Sequence, residues 1–230
     1  MIKLPKSLFE ISSFLNSKNI TTILIGGAVR DYFLYKNTTD FDIEVYGCEN
    51  ISLLKEYLNK FGKVDTKGSK FGILSVNIDN NSYDFALPRT EEKISKGHFG
   101  FKITTYKTLD FNISFKRRDF TINAIGYNIQ TKKFIDPFNG IDDVKNKILR
   151  HIDKNSFIED PLRVYRAMQF IARFELYIDN ETLKLCKNII EKNLINELSK
   201  KQIQKEFNKI DKKSRKSKLF IEFLSKINLK

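Results

Sequence analysis

Residues 39–47 read TDFDIEVYG, a short run in which acidic and apolar residues alternate. Successive side chains of a β-strand point to opposite faces, so the alternation predicts a strand with one apolar and one acidic face. The acidic face carries Asp40, Asp42 and Glu44. Like charges this close together cost free energy unless a cation lies between them. The run is therefore either an exposed acidic edge strand or part of a cation site.

The spacing of Asp40 and Asp42 suits metal chemistry. Residues two apart on a strand have Cα atoms about 6–7 Å apart, so the two carboxylates can converge on one divalent ion. Paired Mg²⁺ ions about 3.5–4 Å apart can activate an attacking hydroxyl and neutralise a phosphate during its transfer. A third carboxylate usually comes from a neighbouring strand. Asp84, in YDFALPR, and Glu44 are both candidates, and spacing alone does not choose between them.

The composition is that of a globular protein with one large domain or two modest ones in 230 residues. Cys48 and Cys186 are far apart and lack the Cys/His spacing of a zinc site, which fits a reducing cytoplasm. The first 15 residues have helical periodicity but carry Glu10 and no long apolar stretch. We therefore expect a packing helix there, and neither a secretory signal nor a membrane span.

The net charge of +13 is concentrated at one end of the chain. Residues 200–230 hold 11 Lys/Arg against 3 Asp/Glu. A concentrated basic segment suits a polyanion such as RNA, whose binding is driven by phosphate neutralisation. A general bias of the chain toward lysine is the alternative explanation. Because only nine of the 41 basic residues are arginine, each arginine is a candidate for a site that needs the guanidinium fork.

The chain divides into two halves of different architecture. Short apolar runs alternate with helical segments up to residue 139, and GILSVNI and YDFALPR form a predicted hairpin with Asn80–Asn81 at its turn. Two strands without a helix between them imply a mixed or antiparallel sheet. From Gly140 onward the pattern is helical. We therefore predict an α+β fold, with a head domain at 1–139 and an all-helical domain at 140–230.

The segment IGGAVRDYF follows a predicted strand and opens a predicted helix. Gly26 and Gly27 would let the backbone approach a ligand, and the free N–H groups of a helix start favour phosphate. Arg30, one turn into the helix, could reach the same anion. The motif is neither a Walker loop nor the dinucleotide fingerprint, and a tight strand–helix turn is the alternative.

A second basic motif, KRRDFTINAIGY, supplies Arg117 and Arg118, followed by Asp119 in a position typical of a helix cap. Adjacent residues do not share a helix face, so we expect one arginine to meet ligand phosphate and the other a structural acid. The alternative is an ordinary capped helix with a basic start.

FIEDPLRVYRAMQF carries the strongest signal of the helical half. Asp160 before Pro161 is a typical helix start, so Asp160 could be a plain N-cap. Asp160 and Arg163 also lie on one side of the first turn, where an acceptor beside a forked donor can match the edge of a nucleobase. Arg166 continues that ridge toward the position of a triphosphate.

These motifs, in this order, resemble the class II tRNA nucleotidyltransferases, the CCA-adding enzymes, and the related bacterial poly(A) polymerases. The matching stretches cover most of the chain from residue 22 to about 175. They are GGAVRD at 26–31, DFD at 40–42, RRDFTINAIGY at 117–127, DPFNGIDDVKNKILRHI at 136–152 and EDPLRVYRAMQFIARF at 159–174.

The resemblance implies a polymerase-β-like nucleotidyltransferase head followed by a helical neck. It implies metal ligation by Asp40 and Asp42, and it favours Asp84 over Glu44 as the third carboxylate. The remaining implied roles concern the nucleotide: contact by Gly27, Arg30 and Arg118, base templating by Asp160 and Arg163, and phosphate contact by Arg166. The segment PRTEEKISKGHFGF, with Arg89, Glu91 and His98, resembles the family's flexible loop that helps switch nucleotide preference.

Two features depart from the family pattern. Gln169 stands on the neck helix where many relatives place another nucleotide-contacting arginine, so we expect a weaker or differently made contact there. The chain also ends at residue 230, soon after the neck, whereas family members usually continue into domains that grip tRNA. We expect a truncated protein, a reduced enzyme, or one that uses its basic terminal helices instead.

Together these features predict a Mg²⁺-dependent enzyme that adds C, A or both (CCA) to the 3′ end of tRNA from CTP and ATP. The sequence leaves open whether CC, A or all of CCA is added. The terminal ribose hydroxyl would attack the α-phosphate and release pyrophosphate. A poly(A) polymerase shares every motif and differs by making long A tails from ATP alone. A non-catalytic RNA-binding module would bind RNA without metal-dependent chemistry. Nucleotidylation of a small molecule is disfavoured by the basic helical tail.

Overall fold

A computed structural model describes residues 2–95 and 100–228, apart from the side chain of Lys70. The strands within these ranges are β1 (Thr21–Ile25), β2 (Asp40–Tyr46), β3 (Val64–Asp65), β4 (Ile73–Ile78), β5 (Asn81–Ala86), β6 (Arg89–Lys93), β7 (Phe101–Thr105), β8 (Gly126–Asn128), β9 (Phe134–Ile135), β10 (Ile148–Leu149) and β11 (Tyr177–Ile178). The helices are α1 (Lys6–Asn16), α2 (Gly27–Phe33), α3 (Ile51–Leu58), α4 (Phe111–Lys116), α5 (Gly140–Lys145), α6 (Lys154–Glu159), α7 (Leu162–Phe174), α8 (Asn180–Glu191), α9 (Lys200–Asn208) and α10 (Lys218–Ile227).

The first half of the chain is built on a sheet that has seven strands among the described residues, in the order β3-β4-β5-β2-β1-β8-β9. β2 and β5 run parallel, and every other neighbouring pair in it is antiparallel. The predicted mixed sheet is therefore confirmed. β2 lies inside the sheet, between β1 and β5, rather than at an edge, so its apolar face, with Ile43 and Val45, is buried.

The predicted N-terminal packing helix is confirmed as α1. Its periodic apolar residues Leu8, Ile11 and Leu15 are fully buried. The hydroxyl of Ser7, on the same helix, is hydrogen-bonded to that of Tyr83 in β5 at 2.7 Å. These contacts place α1 against the sheet and give it the hydrophobic packing that a short helix needs.

The predicted hairpin is also present, with its turn shifted by one residue. β4 and β5 pair antiparallel from Ile78 opposite Asn81. Its two turn residues are Asp79 and Asn80, with φ of 50° and 62°, rather than Asn80 and Asn81. Two-residue hairpin turns of this kind require positive φ at both positions, which Asp and Asn tolerate better than other side chains.

The prediction of a helix after Asp119 is wrong. The chain makes one 3₁₀ turn at Thr121–Asn123 and then enters the sheet as β8, beside β1. Apolar residues on every side of this segment are fully buried, so it has no solvent-facing stripe of an amphipathic helix. Gly126 permits the close approach to the sheet, because a Cβ there would lie 3.0 Å from side-chain atoms of Ile23 and Phe115.

The second half is mainly helical, as predicted, with one addition. IDDVKNKILRHI does not form a single helix: α5 ends at Lys145, Lys147 takes a left-handed φ of 57°, and β10 follows. β10 pairs in parallel with β11, which comes directly after α7. This two-stranded ladder was not predicted, because a two-residue strand leaves no period to detect.

Four helices of the second half, α6, α8, α9 and α10, begin at side-chain caps that the sequence supplies. Asp153, Asp179 and Ser217 each accept a backbone N–H at the start of α6, α8 and α10. Ser199 and Gln202 form a capping box at the start of α9. No helix in the described part of the chain has the length and apolar character that crossing a bilayer requires.

The structure divides into two compact units whose segments interleave along the chain. The first contains residues 1–91, 103–115 and 123–141, and the second contains residues 92–102, 116–122 and 142–230. The sheet of seven strands belongs to the first unit, and α6 to α10 belong to the second. The domain assignment made from the sequence, 1–139 and 140–230, stays a prediction.

Candidate active site

The three acidic side chains of β2 differ in their exposure to solvent. Asp40 and Asp42 are exposed, whereas Glu44 is 1% exposed. The hydroxyl groups of Tyr46 and Ser114 donate to Oε2 of Glu44 at 2.9 and 2.7 Å. Glu44 is therefore held inside the first unit by hydroxyl groups, which is a structural role.

Asp84 stands next to Asp42. The two residues are register partners on the parallel strands β2 and β5, so their side chains leave the same face of the sheet. The hydroxyl of Ser75, on β4, donates to Oδ1 of Asp84 at 2.5 Å. Ser75 and Asp84 are themselves register partners, so the sheet fixes this hydrogen bond. Ser75 was not predicted, because a single serine on one face of the ILSVNI strand has no distinctive spacing.

The donor set of this face suits a hard divalent cation. Carboxylate oxygens are the ligands that Mg²⁺ prefers, and Asp40, Asp42 and Asp84 supply them from two adjacent strands. Among residues 2–95 and 100–228, no three His, Cys, Asp or Glu side chains are already drawn together as a metal cluster. The three carboxylates therefore suit a divalent cation by their chemistry and by the register of their strands.

The glycine turn, Gly26 and Gly27, follows the end of β1 that lies next to the carboxylates of β2. Ile25, the last residue of β1, is opposite Asp42, so Gly26 follows directly beside the carboxylates. Gly26 has φ 78° and ψ −131°, a conformation that is essentially restricted to glycine. The first helical residue, Gly27, also lacks a side chain and is half-buried, whereas Gly26 is buried.

Arg30 makes different contacts from those expected of an anion ligand. It is 6% exposed, and its Nη1 donates to the amide oxygen of Asn123 at 2.7 Å. Its Nε and Nη2 donate to Oδ1 of Asp31 at 2.9 and 2.7 Å. Arg30 thus ties α2 to Asn123, a partner that was not predicted from the sequence.

The second unit brings the arginine motif and the neck helix together. Arg163, on α7, donates to the carbonyl oxygens of Arg117 and Arg118. Arg166 donates through Nε to Oδ2 of Asp119 at 2.6 Å. Burial alone would lower the pKa of Arg166, but the Asp119 carboxylate raises it through its charge and its hydrogen bond. Asp119 is therefore an ion-pair partner of α7 and does not cap a helix.

Asp160 lies one residue further from the helix than predicted. The cap position of α7 is occupied by Pro161, and the helix begins at Leu162. The Asp160 carboxylate nevertheless accepts the backbone N–H of Leu162 at 3.2 Å, so it performs the capping bond. Asp160 and Arg163 are each 7% exposed.

Gln169 lies in the middle of α7 and is 1% exposed. Its amide oxygen accepts a hydrogen bond from Nη1 of Arg173, one turn later, at 3.0 Å. The guanidinium of Arg173 also lies 4.9 Å from the ring centre of Phe174. Gln169 is thus engaged within its own helix.

The segment predicted to be a flexible loop, residues 88–101, is partly strand, because β6 lies within it and β7 begins at its last residue. β6 and β7 form a two-stranded sheet, and Arg89 forms an ion pair with Glu91 at 2.8 Å. Arg89 also donates to the carbonyl of Phe71. His98 lies outside the described residues.

The basic segment at residues 200–216 belongs to the second unit and carries exposed cations. Its two acids have local partners, because Glu206 is buried against Lys209 and Asp211 accepts the backbone N–H of Ser214. α9 packs on α7, with Phe207 near Tyr165. The exposed cations of the segment are Lys200, Lys201, Lys205, Lys209, Lys212, Lys213, Arg215 and Lys216.

Comparison with known proteins identifies relatives of this chain. Residues 22–150 match the sequence model of a family described as Poly A polymerase head domain. A CCA-adding enzyme of Francisella tularensis subsp. novicida is 38% identical over 187 residues, which is 80% of this chain and 48% of that protein. The chain therefore spans about half the length of this curated relative.

Solved structures agree with the fold throughout the chain. The apo form II of a CCA-adding enzyme superposes with a TM-score of 0.81 at 26% identity, covering 98% of this chain and 54% of that one. The Thermotoga maritima CCA-adding enzyme complexed with tRNA has a TM-score of 0.77 at 27% identity, covering 99% of this chain and 52% of that one. The expected nucleotidyltransferase head is thus confirmed as a fold.

Proposed function

Because the chain belongs to the Poly A polymerase head domain family, we propose that it transfers nucleotides to the 3′ end of tRNA and adds C and A from CTP and ATP. One structural observation carries the proposal. Asp42 and Asp84 are paired on adjacent strands, with Asp40 on the same face and a glycine turn at the same edge. This arrangement matches a need of nucleotidyl transfer, which is carboxylate metal ligands beside a glycine turn that begins a helix.

The proposed cofactor is Mg²⁺, held by Asp40 and Asp42 with Asp84 as the third carboxylate. When bound, it would supply positive charge at the attacking hydroxyl and at the α-phosphate. Ser75 keeps one oxygen of Asp84 engaged, which leaves the other oxygen for the ion. Gly26 and Gly27 would admit the nucleotide phosphates close to the backbone.

The proposed contribution of the second unit is nucleotide selection. Arg118 and Arg166 would contact the triphosphate. Asp160 and Arg163 would read the base edge by hydrogen bonds, as acceptor and forked donor. Gln169, bonded to Arg173 in its own helix, would make at most a weak nucleotide contact.

The proposed partner is tRNA, bound in part by the basic segment at residues 200–216. Its exposed cations would neutralise backbone phosphates without reading sequence. Cys48 and Cys186 are free and buried, which supports action in the reducing cytoplasm.

The proposal is tested by incubating the protein with a tRNA that lacks its terminal CCA, in Mg²⁺, with CTP and ATP singly and together. We expect extension by C and A, and none by an Asp42→Ala variant. Asp65→Ala is the matched control, because it removes an exposed aspartate from β3 of the same sheet. Failure of the wild type to extend the tRNA would contradict the proposal.

A poly(A) polymerase is the second candidate, favoured by the description of the matching family. The same experiment separates the two. Long tails made from ATP alone would identify a poly(A) polymerase, whereas addition that stops after a few nucleotides identifies a CCA-adding enzyme.

A further inference from the structure

Two arginines of α7 contact three consecutive residues of an earlier segment. Nη2 of Arg163 donates to the carbonyl of Arg117 at 2.6 Å, and Nη1 donates to the carbonyl of Arg118 at 3.3 Å. One turn later, Arg166 forms its ion pair with Asp119 at 2.6 Å. All five residues belong to the second unit, so the contacts lie within one compact body.

The guanidinium group of Arg163 is better suited to these two hydrogen bonds than the ammonium group of a lysine would be. A guanidinium presents several N–H donors in a fixed plane, so it can hold two successive carbonyl oxygens at once. The Arg117 carbonyl belongs to the peptide plane before Arg118, and the Arg118 carbonyl belongs to the plane after it. Holding both carbonyls therefore fixes the two planes that flank Arg118, and with them the direction in which its side chain leaves the backbone. Arg163 is 7% exposed, so little water is available to replace these bonds.

We propose that Arg163 is a positioning residue for Arg118. This inference rests on the proposed function, in which Arg118 contacts the triphosphate. The guanidinium of Arg163, which is proposed to read the base, therefore also orients Arg118, which is proposed to bind the phosphates. Base selection and phosphate binding are thus coupled through a single side chain, and a change at Arg163 alters phosphate affinity even for a ligand that has no base.

Inorganic tripolyphosphate is the probe, because it carries the phosphates without a base. Its Kd is measured by calorimetry at low salt in EDTA, so that only protein cations bind it. We expect Arg163→Lys to weaken binding about tenfold, as for the loss of hydrogen bonds around a charged ligand. Arg118→Ala should weaken it by a similar factor, and the double variant should be no weaker than Arg118→Ala alone.

Arg173→Lys is the matched control, because Arg173 lies on the same helix and donates to Gln169 instead. Its tripolyphosphate affinity should equal that of the wild type. A second measurement is amide hydrogen exchange, which should accelerate at residues 117–120 in Arg163→Lys. If Arg163→Lys does not fold by circular dichroism, Arg163→Gln replaces it with the same expectations, since its amide can still donate to one carbonyl.

The outcomes separate the inference from the function on which it rests. If the wild type binds tripolyphosphate and Arg163→Lys binds it equally well, the positioning role is wrong while the proposed function stands. Additive losses in the double variant would also overturn it, because they would show that the two arginines act independently. If the wild type does not bind tripolyphosphate, the phosphate contact proposed for Arg118 is itself wrong.

Discussion

Asp42 and Asp84 lie opposite each other on β2 and β5, the one parallel pair of the sheet within the described ranges. They are far apart in sequence, and only the strand register brings them to the same face. Because the hydroxyl of Ser75 bonds to one oxygen of Asp84, the three residues form a row across three adjacent strands. This row makes the role of each member separately testable.

Ser75→Ala should weaken the proposed metal site. Without the hydroxyl, the Asp84 carboxylate loses the hydrogen bond that fixes its orientation. We expect nucleotide addition to fall about tenfold and Mn²⁺ affinity, measured by electron paramagnetic resonance, to fall by a similar factor. Ser75→Thr keeps the hydroxyl and should retain both properties. Equal Mn²⁺ binding by the Ala variant would show that the hydroxyl does not orient Asp84.

Glu44→Ala should destabilise the fold, in contrast to Asp40→Ala on the same strand. Removing Glu44 leaves the buried hydroxyls of Tyr46 and Ser114 without their acceptor, which costs about 2–4 kcal/mol of unfolding free energy. Asp40 is exposed, so its replacement should change stability by less than about 0.5 kcal/mol. Urea unfolding of both variants gives the comparison. A Glu44→Ala variant as stable as the wild type would refute the structural role.

His151 should make stability depend on pH. Burial lowers its pKa below the usual value of 6.5, with Asp179 acting in the opposite direction and Arg150 adding to the decrease. The unfolded chain therefore binds the proton first as the pH falls. The contribution to stability is complete above about pH 6.5 and is lost progressively below it. Urea midpoints measured between pH 7.5 and pH 5.5 should fall less steeply for His151→Gln than for the wild type.

The basic segment should set the salt dependence of RNA binding. Replacing Lys200, Lys201 and Lys205 by Gln should reduce the slope of log K against log salt by about 0.7–0.9 for each lysine that meets a phosphate. Fluorescence anisotropy with labelled tRNA measures that slope. The control replaces Lys55, Lys60 and Lys63, exposed lysines near α3, by Gln. Equal effects of the two triple variants would mean that net charge, rather than this surface, governs binding.

Patterns within single elements were predictable from the sequence. The alternation in β2, the periodicity of α1 and the hairpin of β4 and β5 all follow from local rules, and the structure confirms them. Asp119 shows where such rules fail. An acid before a short apolar run has the composition of a helix cap, but burial on every side sends this run into β8. The competing factor was tertiary burial, which one sequence does not display.

Side-chain partners were less predictable than side-chain positions. The sequence indicated Arg30, Arg163 and Arg166 as ligand contacts, yet in the structure they donate to Asn123, to backbone carbonyls and to Asp119. Ser75 was not identified, because a serine in a strand carries no distinctive spacing. Contacts of this kind depend on strand register and on pairs far apart in the chain, which motifs do not encode.

β2 has an exposed end, which carries Asp40 and Asp42, and a buried end, which carries Glu44. The carboxylates of the proposed chemistry are therefore not the one that stabilises the fold. Loss of Asp40 or Asp42 removes little packing, so a protein damaged there remains intact and keeps its lysine-rich helices. Under the proposed function, such a protein would still occupy the RNA that a functional copy needs. In a cell that makes the inactive variant and the functional protein, we expect the variant to compete for RNA. The loss of nucleotide addition should then increase with the amount of the variant.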